Sequence, residues 1–180
     1  MNRFNPDNLM HVFHDDLLPA FATLLETGLA GKLDLSTDAR LVFLDPHPAG
    51  EHLGLYASLI SSGWPMLRAD LVVESDPDGL VCFEEALVGL SNATVWYQYG
   101  FTTPQGPLPD SLLTANQVRL FTGHLRASLG TVECEAPGGA LLLTRQSTRL
   151  ILNEMELAVR VAESPGMRVG RAGLEDHTVE

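Results

Sequence analysis

The stretch ALLLTRQSTRLILNEMELAVRVAESPGMRVGR, residues 140–171, decides how the chain is organised. Its first six residues predict a buried strand, residues 153–164 predict a helix, and residues 167–171 predict a second strand. A strand, a helix and a strand in so short a span are typical of a βαβ unit. One such unit cannot form a sheet that is covered on both faces. We therefore expect residues 137–180 to be the incomplete start of a second, Rossmann-like domain.

The residues before this unit predict a first α/β domain over residues 1–136. Apolar residues recur at helical spacing from Asn8 to about Thr27, and Gly28 can end that helix. Pro19 must kink or divide it, because proline removes a backbone donor and clashes one turn back. Further patterns predict strands over 39–45, 67–73, 79–90 and 94–101, helices over 50–62 and 114–130, and a proline-rich loop over 102–110.

The composition excludes several classes of protein. Eleven Lys and Arg residues against 23 Asp and Glu residues give a net charge of -12, which repels phosphate backbones and disfavours generic nucleic-acid binding. Cys82 and Cys134 are too few for a disulfide scaffold, and we expect Cys82 to be buried in a strand. No apolar run reaches the roughly 20 residues that a membrane-spanning helix needs.

Four polar residues interrupt the first helix in the motif HVFHDD, residues 11–16. His11, Asp15 and, less well, His14 have the three- and four-residue spacings that place side chains on one side of a helix. A histidine beside a carboxylate suits a general base, with the carboxylate orienting the ring or taking the proton itself. The same residues could hold a divalent ion, or they could form the solvated face of an ordinary helix.

Polar residues also follow the strand over 140–145 at its carboxyl end, where open α/β sheets bind ligands. Arg145 ends that strand, Arg149 follows four residues later, and Asn153 and Glu154 open the next helix. Two arginine forks beside a helix N-terminus suit a diphosphate. The alternative is that the arginines are surface residues and that Asn153 only caps the helix. The glycine-rich signatures of dinucleotide sites and P-loops do not occur in the sequence.

The aromatic segment TVWYQYGF, residues 94–101, has two interpretations. Trp96, Tyr97 and Tyr99 could stack against sugar rings, or they could belong to an ordinary core strand. Just before this segment, Asn92 begins an N-x-T sequon, which is the acceptor for N-linked glycans in a secretory compartment.

Several segments together resemble one family of enzymes. The stretches NLMHVFHDDLLPAF, VCFEEALVGLS, TVWYQYGFTTPQGP, LTRQSTRLILNEMEL and GLEDHTVE resemble glycosyltransferase family 61, in particular its members that act on O-linked mannose. The resemblance runs in order over nearly the whole chain, and its third and fourth stretches are long and specific. The same family includes an extracellular O-linked N-acetylglucosaminyltransferase and plant xylan xylosyltransferases.

The resemblance implies a GT-B fold, in which two facing Rossmann-like domains hold UDP-GlcNAc mainly through the second domain. It implies an inverting transfer of N-acetylglucosamine (GlcNAc) to the 4-hydroxyl of O-linked mannose, on acceptors of the α-dystroglycan type, in the endoplasmic reticulum lumen. It leaves a metal requirement and the oligomeric state open, and it names no further cofactor. The residues that it makes candidates are, for catalysis, His14, Asp15 and Asp16; for the donor, Arg145, Arg149, Asn153 and Glu154; for the acceptor, Trp96, Tyr97 and Tyr99; and for glycosylation, Asn92.

Family members of this kind also carry an N-terminal membrane anchor, a His-Gly-Ala motif in the donor domain and a C-terminal fibronectin type III domain. None of these is found in the 180 residues, so we expect a fragment that is inactive by itself. One alternative is a truncated, non-catalytic remnant that folds and binds partners. Another is a different family 61 transferase, acting with GlcNAc or xylose on other acceptors.

Overall fold

The computed structural model describes residues 1–28, 39–74, 81–98, 106–131, 139–144 and 150–173. The chain divides into two units, Met1–Thr131 and Val132–Glu180. None of the helices in these described ranges is both long enough and apolar enough to cross a membrane.

The first unit begins with a helix in three parts. Helix α1 (Leu9–His11) runs into a π-helical turn (Val12–Leu17), which continues as helix α2 (Leu18–Glu26). The Leu18 N–H bonds to the Phe13 carbonyl five residues back, which is the wide spacing of a π-helix. The predicted division is therefore confirmed, and it occurs where Pro19 supplies no N–H to an α-helical ladder.

Short strands and helices make up the rest of this unit. In chain order they are β1 (Val42–Phe43), α3 (Leu53–Leu59), β2 (Met66–Leu67), α4 (Arg68–Glu74), a 3-10 turn (Asn92–Thr94), β3 (Tyr97–Gln98), β4 (Gly106–Pro107) and α5 (Ala115–Ser128). Strands β1 and β2 pair in parallel, whereas β3 and β4 pair antiparallel. The segment 106–107, which we expected in a loop, is thus a strand.

The core of the first unit lies between α2, α3, α5 and strand β1. Its members are apolar and almost wholly buried, and they include Val12, Leu17, Phe43, Tyr56, Leu59 and Phe121. His124 of α5 also lies in this core, where its Nε2 is 2.6 Å from the Leu59 carbonyl oxygen and its ring stacks on Phe21. Burial of these side chains supplies the main free energy that holds the helices together.

A buried ion pair fixes the N-terminal segment to the loop after β1. The Arg3 guanidinium donates to both carboxylate oxygens of Asp45, at 2.8 and 3.2 Å, and the Arg3 backbone N–H donates as well. Two further guanidinium hydrogens go to the carbonyls of His47 and Ala49. Burial alone would raise the pKa of Asp45, but the bonds from Arg3 outweigh it and lower that pKa.

Two predicted strands of the first unit are wrong. Residues 68–73, predicted as strand, belong to helix α4, and the Asp70 carboxylate accepts from the Leu67 N–H at 2.7 Å, as an acidic residue in a first helical turn does. Residues 81–90 form no strand, and their apolar side chains before Leu90 are exposed, Val88 to 97%. Cys82 is accordingly exposed rather than buried.

The described part of the second unit is a βαβ unit, as the sequence predicts. Strands β5 (Gly139–Thr144) and β6 (Arg168–Gly173) pair in parallel along their full lengths, and helix α6 (Glu154–Ala162) connects them. No described residue of this unit is buried, and Leu141 on β5 is 63% exposed. Its apolar side chains therefore contribute little burial within the described part.

Candidate active site

The polar residues of HVFHDD separate into two groups. His11, His14 and Asp15 lie together, with His11 Nδ1 2.6 Å from one oxygen of Asp15 and His14 Nδ1 2.8 Å from the other. Their side chains retain between 10% and 19% of their exposure, so the cluster is partly covered and still reaches the surface. We call these three residues the His–Asp–His cluster. The predicted grouping of His11, His14 and Asp15 is confirmed.

The hydrogen bonds in this cluster define which atoms can take a proton. An ionised carboxylate only accepts, so the two imidazoles facing Asp15 both donate through Nδ1–H. The Nε2 atoms are then the basic nitrogens of the neutral rings. Burial lowers the pKa of His14, although the neighbouring Asp15 carboxylate acts in the opposite direction. The lowered pKa favours a neutral His14 imidazole near neutral pH. A neutral imidazole held by a carboxylate has the arrangement of a general base.

Aromatic side chains border the cluster. The ring of Trp96 contacts His14 edge-on, with 4.8 Å between centroids, and the Trp96 ring contacts Tyr97 at 5.4 Å. Phe4 contacts His11 in a similar way, at 4.9 Å. Trp96 remains 36% exposed, whereas Nε2 of His14 is buried. The structure thus brings Trp96 to the candidate base and Tyr97 against Trp96, while Tyr99 lies outside the described residues.

Asp16 belongs to the other group. Its side chain enters the core, where the Tyr56 hydroxyl donates to Oδ2 at 2.5 Å, and both residues are at most 2% exposed. Burial raises the pKa of Asp16 to about 6, although the bond from Tyr56 opposes that rise. Asp16 therefore contacts a core tyrosine rather than the solvent-facing side of the helix.

The described side chains form no group of three or more His, Cys, Asp or Glu residues that could hold a metal ion. In the His–Asp–His cluster the two Nδ1 atoms face Asp15 itself, so the histidines and the carboxylate bind one another. The alternative of a metal site in HVFHDD has no support in this arrangement.

The predicted donor residues lie in the second unit. Arg145 and Arg149 are outside the described residues. Asn153 precedes α6, but its side chain makes no capping hydrogen bond, so the alternative that it only caps the helix is not supported. Glu154, the first residue of α6, accepts from the Arg171 guanidinium of β6, with 2.6 Å between Nε and Oε1. Arg171 was not among the predicted donor residues, although a charged residue at the end of a predicted strand was a signal for it.

The sequon lies on the 3-10 turn. Asn92 opens this turn and is exposed, as a glycan acceptor must be, and the Ser91 hydroxyl caps it by accepting from the Ala93 N–H. Thr94, the third residue of the sequon, is fully buried.

Comparison with known proteins shows that the sequence of this chain is similar to those of one class of enzymes. Along nearly its whole length it is similar to glycosyltransferases, although no protein-family model matches it. Similar proteins include the protein O-linked-mannose beta-1,4-N-acetylglucosaminyltransferase 2 of Mus musculus, 46% identical over 181 residues, and the proteins of that name from Bos taurus and Homo sapiens, 46% and 45% identical.

These alignments cover 98% of this chain but only 29% to 30% of each relative. The chain therefore spans about 30% of the length of the curated relatives it matches. Within that span it is homologous to them, which confirms the predicted resemblance to transferases that act on O-linked mannose.

Proposed function

We propose that this chain carries part of an inverting family 61 glycosyltransferase, which moves GlcNAc from UDP-GlcNAc to the 4-hydroxyl of protein-linked mannose. The observation that carries the proposal is the 44% to 46% identity, over at least 98% of the chain, to relatives named for this linkage and this acceptor. An acceptor of the α-dystroglycan type fits the same names, because it presents O-linked mannose on a protein.

The proposed fold is GT-B, with a Rossmann-like domain over 1–136 and the start of the donor domain over 137–180. Parallel strand pairing in both units supports it, since β1 pairs with β2 and β5 pairs with β6 through a connecting helix. A parallel pair joined by a helix is the element from which Rossmann-like domains are built.

The His–Asp–His cluster supplies the base in this proposal. An Nε2 of the cluster takes the proton of the mannose 4-hydroxyl, the 4-oxygen bonds to C1 of GlcNAc, and the bond from C1 to UDP breaks, so that UDP leaves with its electron pair. Asp15 holds the Nδ1–H groups and stabilises the imidazolium that forms. Trp96 and Tyr97 offer aromatic faces to the sugar. Because Nε2 of His14 is buried, a sugar reaches that atom only when the groups that cover it move.

The donor edge lies in the second unit. Arg145, Arg149 and Asn153 are proposed to meet the diphosphate near the start of α6, where a helix N-terminus favours an anion. The hydrogen bond from Arg171 to Glu154 holds a further guanidinium near the start of α6. Fixed positive groups of this kind stabilise the leaving UDP as negative charge develops on it.

An endoplasmic reticulum location is part of the proposal, with the full protein anchored as a type II membrane protein. It is supported by the exposed Asn92 in a sequon, which is useful only to a chain that enters a compartment where N-glycans are added. A glycan on Asn92 would stand on the solvent side of the 3-10 turn.

The test is a chimera in which these 180 residues replace the matching segment of the Mus musculus relative. We expect it to transfer labelled GlcNAc from UDP-GlcNAc to an O-mannosyl peptide, whereas the 180 residues alone do not, because the relative's remaining segments are missing. A chimera that folds, binds UDP and transfers nothing would favour the non-catalytic remnant. Transfer of xylose, or transfer to a peptide without mannose, would favour another family 61 activity.

Two variants in that chimera test the roles of the two neighbouring aspartates separately. Asp15→Asn should lower kcat about a hundredfold, a scale set by usual base contributions, because the amide no longer accepts from both imidazoles. Asp16→Asn still accepts from Tyr56, so its kcat should stay close to that of the parent. Equal losses in the two variants, or no loss in Asp15→Asn, would remove the cluster from the mechanism.

A further inference from the structure

The His–Asp–His cluster sits on an irregular turn of helix. His14 and Asp15 belong to the π-helical turn Val12–Leu17, and His11 immediately precedes it. Turns of this kind are rare, and those that do occur are frequently found at functional sites. The question is which contacts of this chain hold the turn in place.

One contact inside the turn reaches another element of the core. Asp16 accepts the hydrogen bond from Tyr56 of α3 at 2.5 Å, and the two residues are 40 positions apart. The Tyr56 ring is itself fixed, since it is 1% exposed and packs edge-on against Phe43 with 5.0 Å between centroids. This bond therefore ties the C-terminal half of the π-helical turn to a rigid part of the core.

The bond also gives two neighbouring carboxylates different partners. Asp15 bonds to His11 and to its own neighbour His14, whereas Asp16 turns to the core. If Asp16 were released, the core side of the turn would be held by the packing of Val12 and Leu17, which is non-directional, and Pro19 cannot restore the α-helical ladder because it has no N–H. The orientation of the cluster would then depend on its own hydrogen bonds and on its ring contacts with Trp96 and Phe4.

We propose that Tyr56 is a positioning residue for the transfer: by holding Asp16 in the core, its hydroxyl fixes the π-helical turn that orients His14 against Asp15. This inference rests on the proposed function for its catalytic meaning. Its structural content, a coupling between a core hydroxyl and the tautomer of the largely covered His14 imidazole, stands without any assay of transfer. Tyr56 touches neither substrate nor the cluster in this role.

The test is nitrogen NMR of the 180-residue chain with labelled histidines. In the parent we expect His14 to show the Nδ1–H tautomer, with well separated Nδ1 and Nε2 shifts. Tyr56→Phe keeps the ring and removes only the hydroxyl, so the two His14 shifts should move towards each other. Asp16→Ala removes the acceptor instead and should give the same change, which serves if Tyr56→Phe does not fold.

Two controls make the result decisive. Asp16→Asn retains an acceptor for the Tyr56 hydroxyl, so its His14 shifts should match the parent. His124 bonds to the Leu59 carbonyl of the same helix α3, and its shifts should stay unchanged in every variant. A folded Tyr56→Phe protein with parent-like His14 shifts would overturn the inference. So would equal movement of His14 and His124, which would show a general loss of packing rather than positioning.

Because the readout is a tautomer, this experiment can fail while the chimera remains an active transferase. It can equally succeed in a chain whose chimera is inactive, so the two proposals are tested separately. In an active chimera, Tyr56→Phe should lower kcat and leave the KM for UDP-GlcNAc unchanged, since the donor residues lie in the second unit.

Discussion

At the scale of single residues, Asp16 gives the fold an unusual dependence on pH. The pKa of this carboxyl rises from 3.8 to about 6 in the folded chain, because burial disfavours the charged form. Between these values the folded chain holds a proton that the unfolded chain has released. The stabilisation is thus present at low pH and is lost as the pH rises through about 6, the reverse of a salt-bridged carboxylate.

We therefore expect Asp16→Asn to change the pH profile of stability. The amide cannot ionise, so raising the pH from about 4.5 to about 7.5 should cost the parent about 2 kcal/mol more than the variant. The measurement is urea unfolding of both proteins at both pH values. Asp45 and the other carboxyls are common to the two chains, and their effects cancel in the difference. Parallel profiles would mean that Asp16 is already ionised in the folded protein.

Residues also show what the sequence could reveal of the site. The spacing of His11 and Asp15 on a helix predicts that they meet, since residues four apart lie on one face. It could not predict that Asp16 enters the core and leaves the candidate catalytic group, because that depends on the hydroxyl of Tyr56 on another helix. The contact between His14 and Trp96 is likewise tertiary: local patterns indicated each residue separately, but they could not predict that the two meet.

At the scale of elements, helix α5 begins with the strongest local signal in the chain. The Thr114 hydroxyl accepts from the Gln117 N–H at 3.2 Å, and the Gln117 side chain accepts from the Thr114 N–H at 2.8 Å, which completes a capping box. The predicted start of this helix at a threonine cap is confirmed. Both bonds are local, so they could be recognised from sequence alone.

Removing this cap should weaken the fold measurably. We expect Thr114→Ala to lower the free energy of unfolding by about 1 kcal/mol, the usual cost of losing an N-cap. Thr122→Ala, on an exposed position inside the same helix, is the matched control and should leave stability equal or slightly higher, because alanine is the better helix former. Chemical denaturation of the three proteins compares them, and a loss in Thr122→Ala as large as in Thr114→Ala would contradict the role of the cap.

Other elements could not be predicted because their signals conflict. The run of apolar residues over 67–73 resembles a strand, yet Asp70 reaches back to the Leu67 N–H and starts helix α4 there. In the segment 81–90 the composition favours a strand, but no neighbouring strand lies beside it in the part of the chain that the structure describes. A strand needs a partner, and sequence composition does not identify one.

At the scale of the whole molecule, the two units differ in how far their apolar side chains are buried. The first has a core of wholly buried residues such as Leu17, Phe43 and Leu59, whereas the described part of the second has none. A two-stranded sheet is marginal in water unless it packs against a helix or further strands, and here α6 buries none of the described residues of β5 and β6. We therefore expect this unit to be only marginally stable in the isolated chain.

Hydrogen exchange should show this difference directly. We expect backbone amides of β5 and β6 in the isolated chain to exchange at least about tenfold faster than those of α2 and α3, because low burial lowers the free energy of local opening. Mass spectrometry of peptides from each element measures it. In the chimera the β5 peptide should become protected, if the relative's remaining segments cover this unit. Equal protection of all four elements in the isolated chain would contradict the marginal stability of the second unit.

The burial of Thr94 has a consequence for the order of events in the life of the chain. An N-glycan transferase recognises the sequon through its third residue as well as through asparagine, and here that threonine is wholly covered in the folded state. In the proposed lumenal location, Asn92 would therefore be glycosylated only while the 3-10 turn is still unfolded. The fraction of chains with a glycan at Asn92 would then depend on the rate of glycosylation relative to the rate of folding, and slower folding would raise that fraction.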